Sequence, residues 1–207
     1  MPQARIQELS NQLVATWASP QGVKLMAAGA TLVGGLLERG PLTTAQAAQL
    51  LGWPEGEVHE RFHGMKFDLE TDGEGRITGA GVSLDDKRPH TMEIQGARRY
   101  GWCAMDVLMF PVVFKEPNSR VTSRCAASGE PISLVVTPDG VRDLSSGTVA
   151  VTLAPSRGGE YREVFCDRVN FYATPELAAE AADRDHDLEP CTVDEAWEVG
   201  KRLAGLF

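Results

Sequence analysis

Residues 41–65 read PLTTAQAAQLLGWPEGEVHERFHGM, and their punctuation decides the architecture of the first half of the chain. A threonine cap opens a short helix through Leu51, Gly52-Trp53-Pro54 breaks it, and a second helix starts at Glu55. The threonine hydroxyl satisfies N–H groups left without partners at a helix start, while proline cannot continue the helix before it. That spacing is a helix-turn-helix. Residues 67–81, FDLETDGEGRITGAG, place Asp72-Gly73 and Glu74-Gly75 between two extended runs, the pattern of a hairpin. Together the two stretches predict a winged helix-turn-helix.

Towards the N-terminus, Ile6, Leu9, Leu13, Val14 and Trp17 recur at spacings of three and four, which predicts an amphipathic helix over residues 4–18. Ser19-Pro20 ends it, because the residue before proline avoids helical geometry. A second helix is expected over residues 23–38, weakened by Gly29, Gly34 and Gly35. Beyond Pro89 the pattern changes. Residues 91–95 read as a strand, 98–110 as a short helix closed by Pro111, and 120–125, 132–136, 148–153 and 162–172 as further strands. Helices over 175–183 and 193–206 finish the chain. The fold class is therefore α+β: a helical, winged-helix-like module over residues 1–81, packed on a mixed or antiparallel β-sheet core with flanking helices over residues 82–207.

The 207 residues suit one or two domains, and 43% hydrophobic with 24% charged is ordinary globular composition. The net charge of −9 argues against a protein that coats nucleic acid, since phosphate binding needs clustered Lys and Arg. Residues 174–207 carry nine acidic side chains against three basic ones, the composition of a solvated helical face. No apolar run approaches the roughly 18–20 residues that cross a bilayer, and the opening MPQARIQELS lacks a secretory pattern. A cytoplasmic protein without a membrane partner is expected. In that reducing compartment Cys103, Cys125, Cys166 and Cys191 each need a reason other than a disulfide.

Cys103 and Asp106 lie three residues apart within the apolar segment YGWCAMDVLMFP, residues 100–111. On a helix they would share one face, and burial there would raise the carboxyl pKa by disfavouring its charge. Two readings stay open: a thiol and an acid that converge for chemistry, or a small buried cysteine beside a capping aspartate. Cys166, in VFCD, stands 63 residues further on, and spacing alone does not bring it to Cys103. Cys125 reads as packing and Cys191 as a bystander beside a helix start. His59 and His63 share a helix face at i, i+4, with Glu60 directly after His59 in the H-E-x-x-H spacing of a metalloprotease motif; the two histidines read as a solvated pair. His90 and His186 add no metal signature, and no Cys-x-x-Cys pair suggests a zinc ribbon.

The chain resembles the alkylmercury lyase family over nearly its whole length. The likeness is most specific at residues 100–111, and continues through RVTSRCAASG (120–129) and VFCD (164–167). The resemblance implies cleavage of carbon–mercury bonds by protonolysis, giving a hydrocarbon and Hg²⁺. It places the two essential cysteines on Cys103 and Cys166 and the essential aspartate on Asp106, with Hg²⁺ held by these three as product. It places a mainly structural cysteine on Cys125. It implies no organic cofactor, organomercurial substrates, cellular thiols as acceptors and mercuric reductase as a recipient. One departure stands out: members often carry a second cysteine directly after the later essential one, and this chain has Asp167. The sequence does not identify the pocket walls; Trp102, Met105 and Phe165 are candidates by adjacency, and each reads equally as simple core.

Two other classes fit parts of the sequence. A thiol-based metal-sensing regulator would use the winged helix on DNA, but residues 41–64 hold Glu55, Glu57 and Glu60 against Arg61 alone, the wrong charge for a recognition helix. A non-catalytic mercury-binding protein could keep the same fold.

Overall fold

The computed structural model describes residues 2–85, 87–145 and 147–207. Helices α1 (Pro2–Trp17), α2 (Pro20–Arg39), α3 (Thr44–Leu51) and α4 (Val58–Gly64) come first, with a 3-10 turn at Glu55–Glu57 before α4. α1 buries Ile6, Leu9, Leu13 and Trp17, the stripe its spacing predicts. Ser19 does more than end α1. Its hydroxyl accepts a hydrogen bond from the Gly22 N–H, and Pro20 sits in the first turn of α2, where a missing N–H costs nothing. α2 therefore starts three residues before the predicted Val23, and its glycines do not interrupt it. Thr43 caps α3 in a reciprocal box with Gln46, and Gly52 ends that helix in the left-handed region at φ 66°.

The wing follows as β1 (Glu70–Thr71) paired with β2 (Ile77–Ala80), and Leu42 bridges to Ile77. From there the sheet continues into β3 (Val82–Ser83), β4 (His90–Ile94) and β5 (Ala97–Gly101). Helix α5 (Ala104–Val113) intervenes before β6 (Ser119–Arg124), β7 (Pro131–Thr137) and β8 (Gly140–Arg142). The order β1-β2-β3-β5-β4-β6-β7-β8 carries one sheet across residues 81 and 82. A second, smaller sheet, β10-β9-β11, joins β9 (Ala150–Leu153), β10 (Phe171–Tyr172) and β11 (Glu189–Thr192). Helices α6 (Tyr161–Val164), α7 (Pro175–Arg184) and α8 (Val193–Ala204) complete the chain. Every strand pairing is antiparallel.

Helix α5 is the centre of the molecule, with every residue from Ala104 to Pro111 buried. A helix apolar all round needs cover on every side, and α8, β4, β5 and β7 supply it. Three sequence expectations change here. Residues 98–101 are not helical: they belong to β5, where Arg99 and Tyr100 pair with Met92 and Thr91, so tertiary pairing overrides the local pattern. Pro111 does not close the helix, which runs on to Val113 with Pro111 inside it; burial on all sides offsets the lost hydrogen bond. Residues 162–172 are not one strand. They form α6, a 3-10 turn at Cys166–Arg168 and the short β10, coiled around Arg168, whose guanidinium donates to Asp185 at 2.9 and 2.7 Å.

The N-terminal helices are tied to the C-terminal elements. Arg5 pairs with Glu189 at 3.0 Å, and Arg202 donates to Ser10 at 2.5 Å and to Asn11 at 2.9 Å. Among the described residues no helix is long and apolar enough to cross a membrane.

Candidate functional site

Cys103, Asp106 and Cys166 meet: their sulfur and carboxylate atoms all lie within 4.8 Å of one another. Their exposures are 0%, 4% and 1%, so the cluster is shut from bulk water.

The local reason differs from a shared helix face. β5 ends at Gly101, and Cys103 stays extended at φ −146°, ψ 176°, as the cap in front of α5. Its N–H donates to Asp106 Oδ2 at 2.9 Å, and the Asp106 N–H donates back to the Cys103 sulfur. This is a capping box built from a thiol and an acid. Gly101 allows the close approach, since a Cβ there would stand 2.7 Å from Val107 Cγ1 and 3.1 Å from Asp106 Cβ. Gly81 flanks the same carboxyl at φ +87°, with Asp106 Oδ1 3.8 Å from where its Cβ would be. Cys166 arrives on the 3-10 turn after α6. The Ala104 N–H donates to the Val169 carbonyl at 3.0 Å, which stitches that turn to the start of α5.

Burial sets the electrostatics. It raises the Asp106 pKa to about 7, although hydrogen bonds from Cys103 and Trp102 and the charge of Arg88 pull the other way. Burial also lifts the Cys103 thiol well above its ordinary value, reinforced by Cys166 and Asp106. Cys166 is raised by burial too, with partial relief from its hydrogen bond to Cys103 and from the Arg162 charge. Both thiols thus hold their protons at neutral pH, while Asp106 stands near its midpoint, able to take up a proton or to give one. Both arginines are held by Glu70 of the wing, 2.5 Å from Arg88 and 3.5 Å from Arg162. The Arg162 guanidinium lies 4.0 Å from the Trp102 ring centroid, a cation–π contact.

Asp106 opens onto an apolar cavity of about 40 Å³, walled by Trp17, Leu25, Met26, Phe67, Phe110 and Tyr161 among others. Trp102, Met105 and Phe165, candidates by adjacency, do not line it; Met105 and Phe165 are fully packed core instead. The walls come from α1, α2, the segment before β1, α5 and α6, so no local signal identifies them. Of the walls named, Phe110 lies inside residues 100–111 and Tyr161 five residues before Cys166, and the Tyr161 phenol is raised well above its ordinary value by burial and by the three site acids.

The other candidates lie elsewhere. Cys125 ends β6 in a turn where its sulfur accepts the Ser128 N–H at 3.4 Å. Burial works to raise its pKa, but hydrogen bonds from Ser128, Ala173 and Ala127 lower it overall. Cys191 is on β11, directly before the Thr192 cap of α8, with its thiol directed to the Val151 carbonyl at 3.5 Å and burial raising its pKa. His59 and His63 are exposed, and His63 pairs with Asp68 at 3.0 Å, gathering with Glu160 at the surface. His90 is buried on β4 against Ser123 at 2.8 Å, and desolvation lowers its pKa to about 4.

Two soft thiols and a carboxyl in a dry pocket are a donor set suited to a soft metal, in an α+β fold with a winged helical module. The alkylmercury lyase family model matches residues 85–205. The alkylmercury lyase of Streptomyces lividans is 35% identical over 170 residues, 81% of this chain and 78% of that protein. That of Pseudomonas putida is 34% identical over 178 residues, 84% and 81% of the two chains. That of Staphylococcus epidermidis is 29% identical over 203 residues, 98% and 93%. A crystal structure of the mercury-bound form of MerB2 shares the fold, with a TM-score of 0.75 over 97% of this chain and 98% of that one at 16% identity. The chain belongs to the alkylmercury lyase family.

Proposed function

We propose that this organomercurial lyase cleaves the carbon–mercury bond at Cys103, Asp106 and Cys166. The observation that carries the assignment is the convergence of two thiols and one carboxyl within 4.8 Å. Mercury prefers soft ligands, so a thiolate is a better attacking group than hydroxide. The substrate enters as R–Hg bound to a thiolate. Cys103 displaces that thiolate, and its proton leaves with the departing thiol. Cys166 then binds the metal and passes its proton to Asp106. Asp106 delivers this proton to carbon as the C–Hg bond breaks, leaving RH and Hg²⁺ between two sulfurs, with Asp106 free to approach the metal.

Burial explains why an aspartate serves. A carboxyl with a pKa near 7 both accepts a proton from a metal-bound thiol and gives it up to a developing carbanion. The apolar cavity beside it suits a small hydrocarbon substituent. The reaction so written needs no organic cofactor, because both protons come from the cysteines. Hg²⁺ then passes to cellular thiols or to a mercuric reductase, in a reducing cytoplasm that keeps all four cysteines free. The division at residue 82 serves as a working one, with residues 1–81 covering a catalytic core in residues 82–207.

The test is mercury X-ray absorption after one turnover of phenylmercury without added thiol. Two sulfur neighbours around mercury, together with released benzene, are expected. A mercury with no sulfur neighbours, or no benzene, would sink the assignment.

A further inference from the structure

Hg²⁺ held by the buried sulfurs leaves only if something reaches it, and one groove adjoins the reaction cavity. This groove, of about 390 Å³, shares Trp17, Leu25 and Tyr161 with the cavity beside Asp106. Trp17 and Tyr161 meet edge to face, with ring centroids 4.7 Å apart, so these two rings stand between the groove and the site. The groove is lined by Lys66 and Arg157 and by no acidic residue, in a chain of net charge −9. Both cations are exposed, and neither has an ion-pair partner among the described residues. Arg157 also borders Glu8, Asp187 and Glu189 in a neighbouring groove without pairing to them.

The remaining lining includes the polar side chains of Ser19, Gln21 and Ser156 and the apolar ones of Leu25 and Met65. The Trp17 indole N–H is buried and has no acceptor among the described residues, a donor left for a ligand. The other large groove with two cations, between α2 and α3, contains Lys24 and Arg61. It shares no residue with the reaction cavity, and its Arg61 is already paired with Glu57 at 2.6 Å.

We infer that the groove between α1–α2 and residues 156–161 is a docking site for a low-molecular-weight thiol bearing carboxylates, the acceptor of Hg²⁺. Lys66 and Arg157 hold the carboxylates, and the thiol passes between Trp17 and Tyr161. This rests on the lyase reading above, and it names the partner of that site. The exchange is balanced without a redox change. An incoming R′S–H forms an Hg–S bond, one Hg–S(Cys) bond breaks, and the thiol proton goes to the departing cysteine sulfur. A second thiol repeats the step, releasing Hg(SR′)₂ and restoring both cysteine thiols.

The probes are glutathione, a tripeptide thiol with two carboxylates, and neutral 2-mercaptoethanol. Mercury release from the Hg²⁺-loaded protein is followed against the concentration of each, for the parent and for the double variant Lys66→Glu, Arg157→Glu. The half-saturating concentration of glutathione is expected to rise about tenfold relative to that of 2-mercaptoethanol, the scale of two exposed charge contacts, and the effect should fade at high salt. An unchanged glutathione-to-mercaptoethanol ratio overturns the groove assignment, as does a loss equal for both thiols. Hydrocarbon release from phenylmercury by the parent, measured in a single turnover, separates this failure from failure of the lyase reading: a parent that releases none overturns both.

Discussion

Three helices of this protein, α3, α5 and α8, start with the same hydrogen-bonded device, yet only the start of α5 builds it from a buried thiol and acid. At α8, Thr192 and Glu195 form a capping box in which the Thr192 N–H donates to Glu195 at 2.9 Å and the Glu195 N–H donates to the threonine hydroxyl at 3.2 Å. At α5, Cys103 and Asp106 make the same reciprocal pair, again with 2.9 Å from the cap N–H to the carboxylate. Thr192 and Glu195 are in contact with solvent, whereas Cys103 and Asp106 are buried. At α8 the box satisfies N–H groups and stabilises a helix. At α5 a soft sulfur replaces the hydroxyl, burial raises the pKa of the acid to about 7, and a second cysteine faces both. In the proposed reaction the backbone device supplies the geometry, and the residue types and their burial supply the reactivity.

The largest effect should come from Cys103→Ser, which turns the reactive box into an ordinary one. The hydroxyl still accepts the Asp106 N–H, so the fold and circular dichroism are expected to hold, while hydrocarbon release from phenylmercury falls by about 10³-fold or more. Retained turnover would show that the sulfur is not what separates the two helix starts.

Asp106→Asn should sharpen the contrast through stability. A folded pKa of about 7 against an ordinary 3.8 means that burial disfavours the ionised form. Below the ordinary value the acid is neutral in both folded and unfolded states, and no cost arises. As pH rises towards 7 the unfolded carboxyl ionises first, so stability declines through that window and levels off above it. The Asn variant escapes this decline, and thermal melts should show it more stable than the parent at pH 8 by on the order of 5 °C, with the difference vanishing near pH 4. A difference independent of pH would contradict a proton-bearing Asp106.

The smallest effect is expected at the ordinary box. Thr192→Ala should cost about 1 kcal/mol, a fall in Tm of roughly 2–4 °C for a chain of this size, with hydrocarbon release per folded molecule unchanged. A large loss of turnover would show that α8 does more than brace α5.

How much of this was legible follows the same contrast. The Thr43 cap, the Gly52-Trp53-Pro54 break and the hairpin at Asp72–Gly75 are local signals, and the winged helix read from them is present. The start of α5 was read as helix from residue 98 because Cys103-x-x-Asp106 is not spelled as a Ser/Thr-x-x-Glu box, and because the pairing of β5 with β4 is a long-range event. The strand expected over residues 162–172 failed for a related reason: its turns are fixed by Arg168 reaching Asp185 and by the Ala104–Val169 hydrogen bond, neither visible locally. From the residues alone Cys103 and Asp106 could be singled out but Cys166 could not. The family resemblance named it, and the fold brings it to them. The cavity walls were out of reach, since Trp17, Met26 and Phe67 belong to the helical module and join the site only when that module packs on the core.

The central claim is that Asp106 gives carbon its proton while the sulfurs hold mercury, and single-turnover release of benzene from phenylmercury by Asp106→Asn tests it most directly. The account predicts that the variant still binds one equivalent of phenylmercury through its cysteines but releases benzene at least about 100-fold more slowly. Benzene release at the parent rate would contradict it.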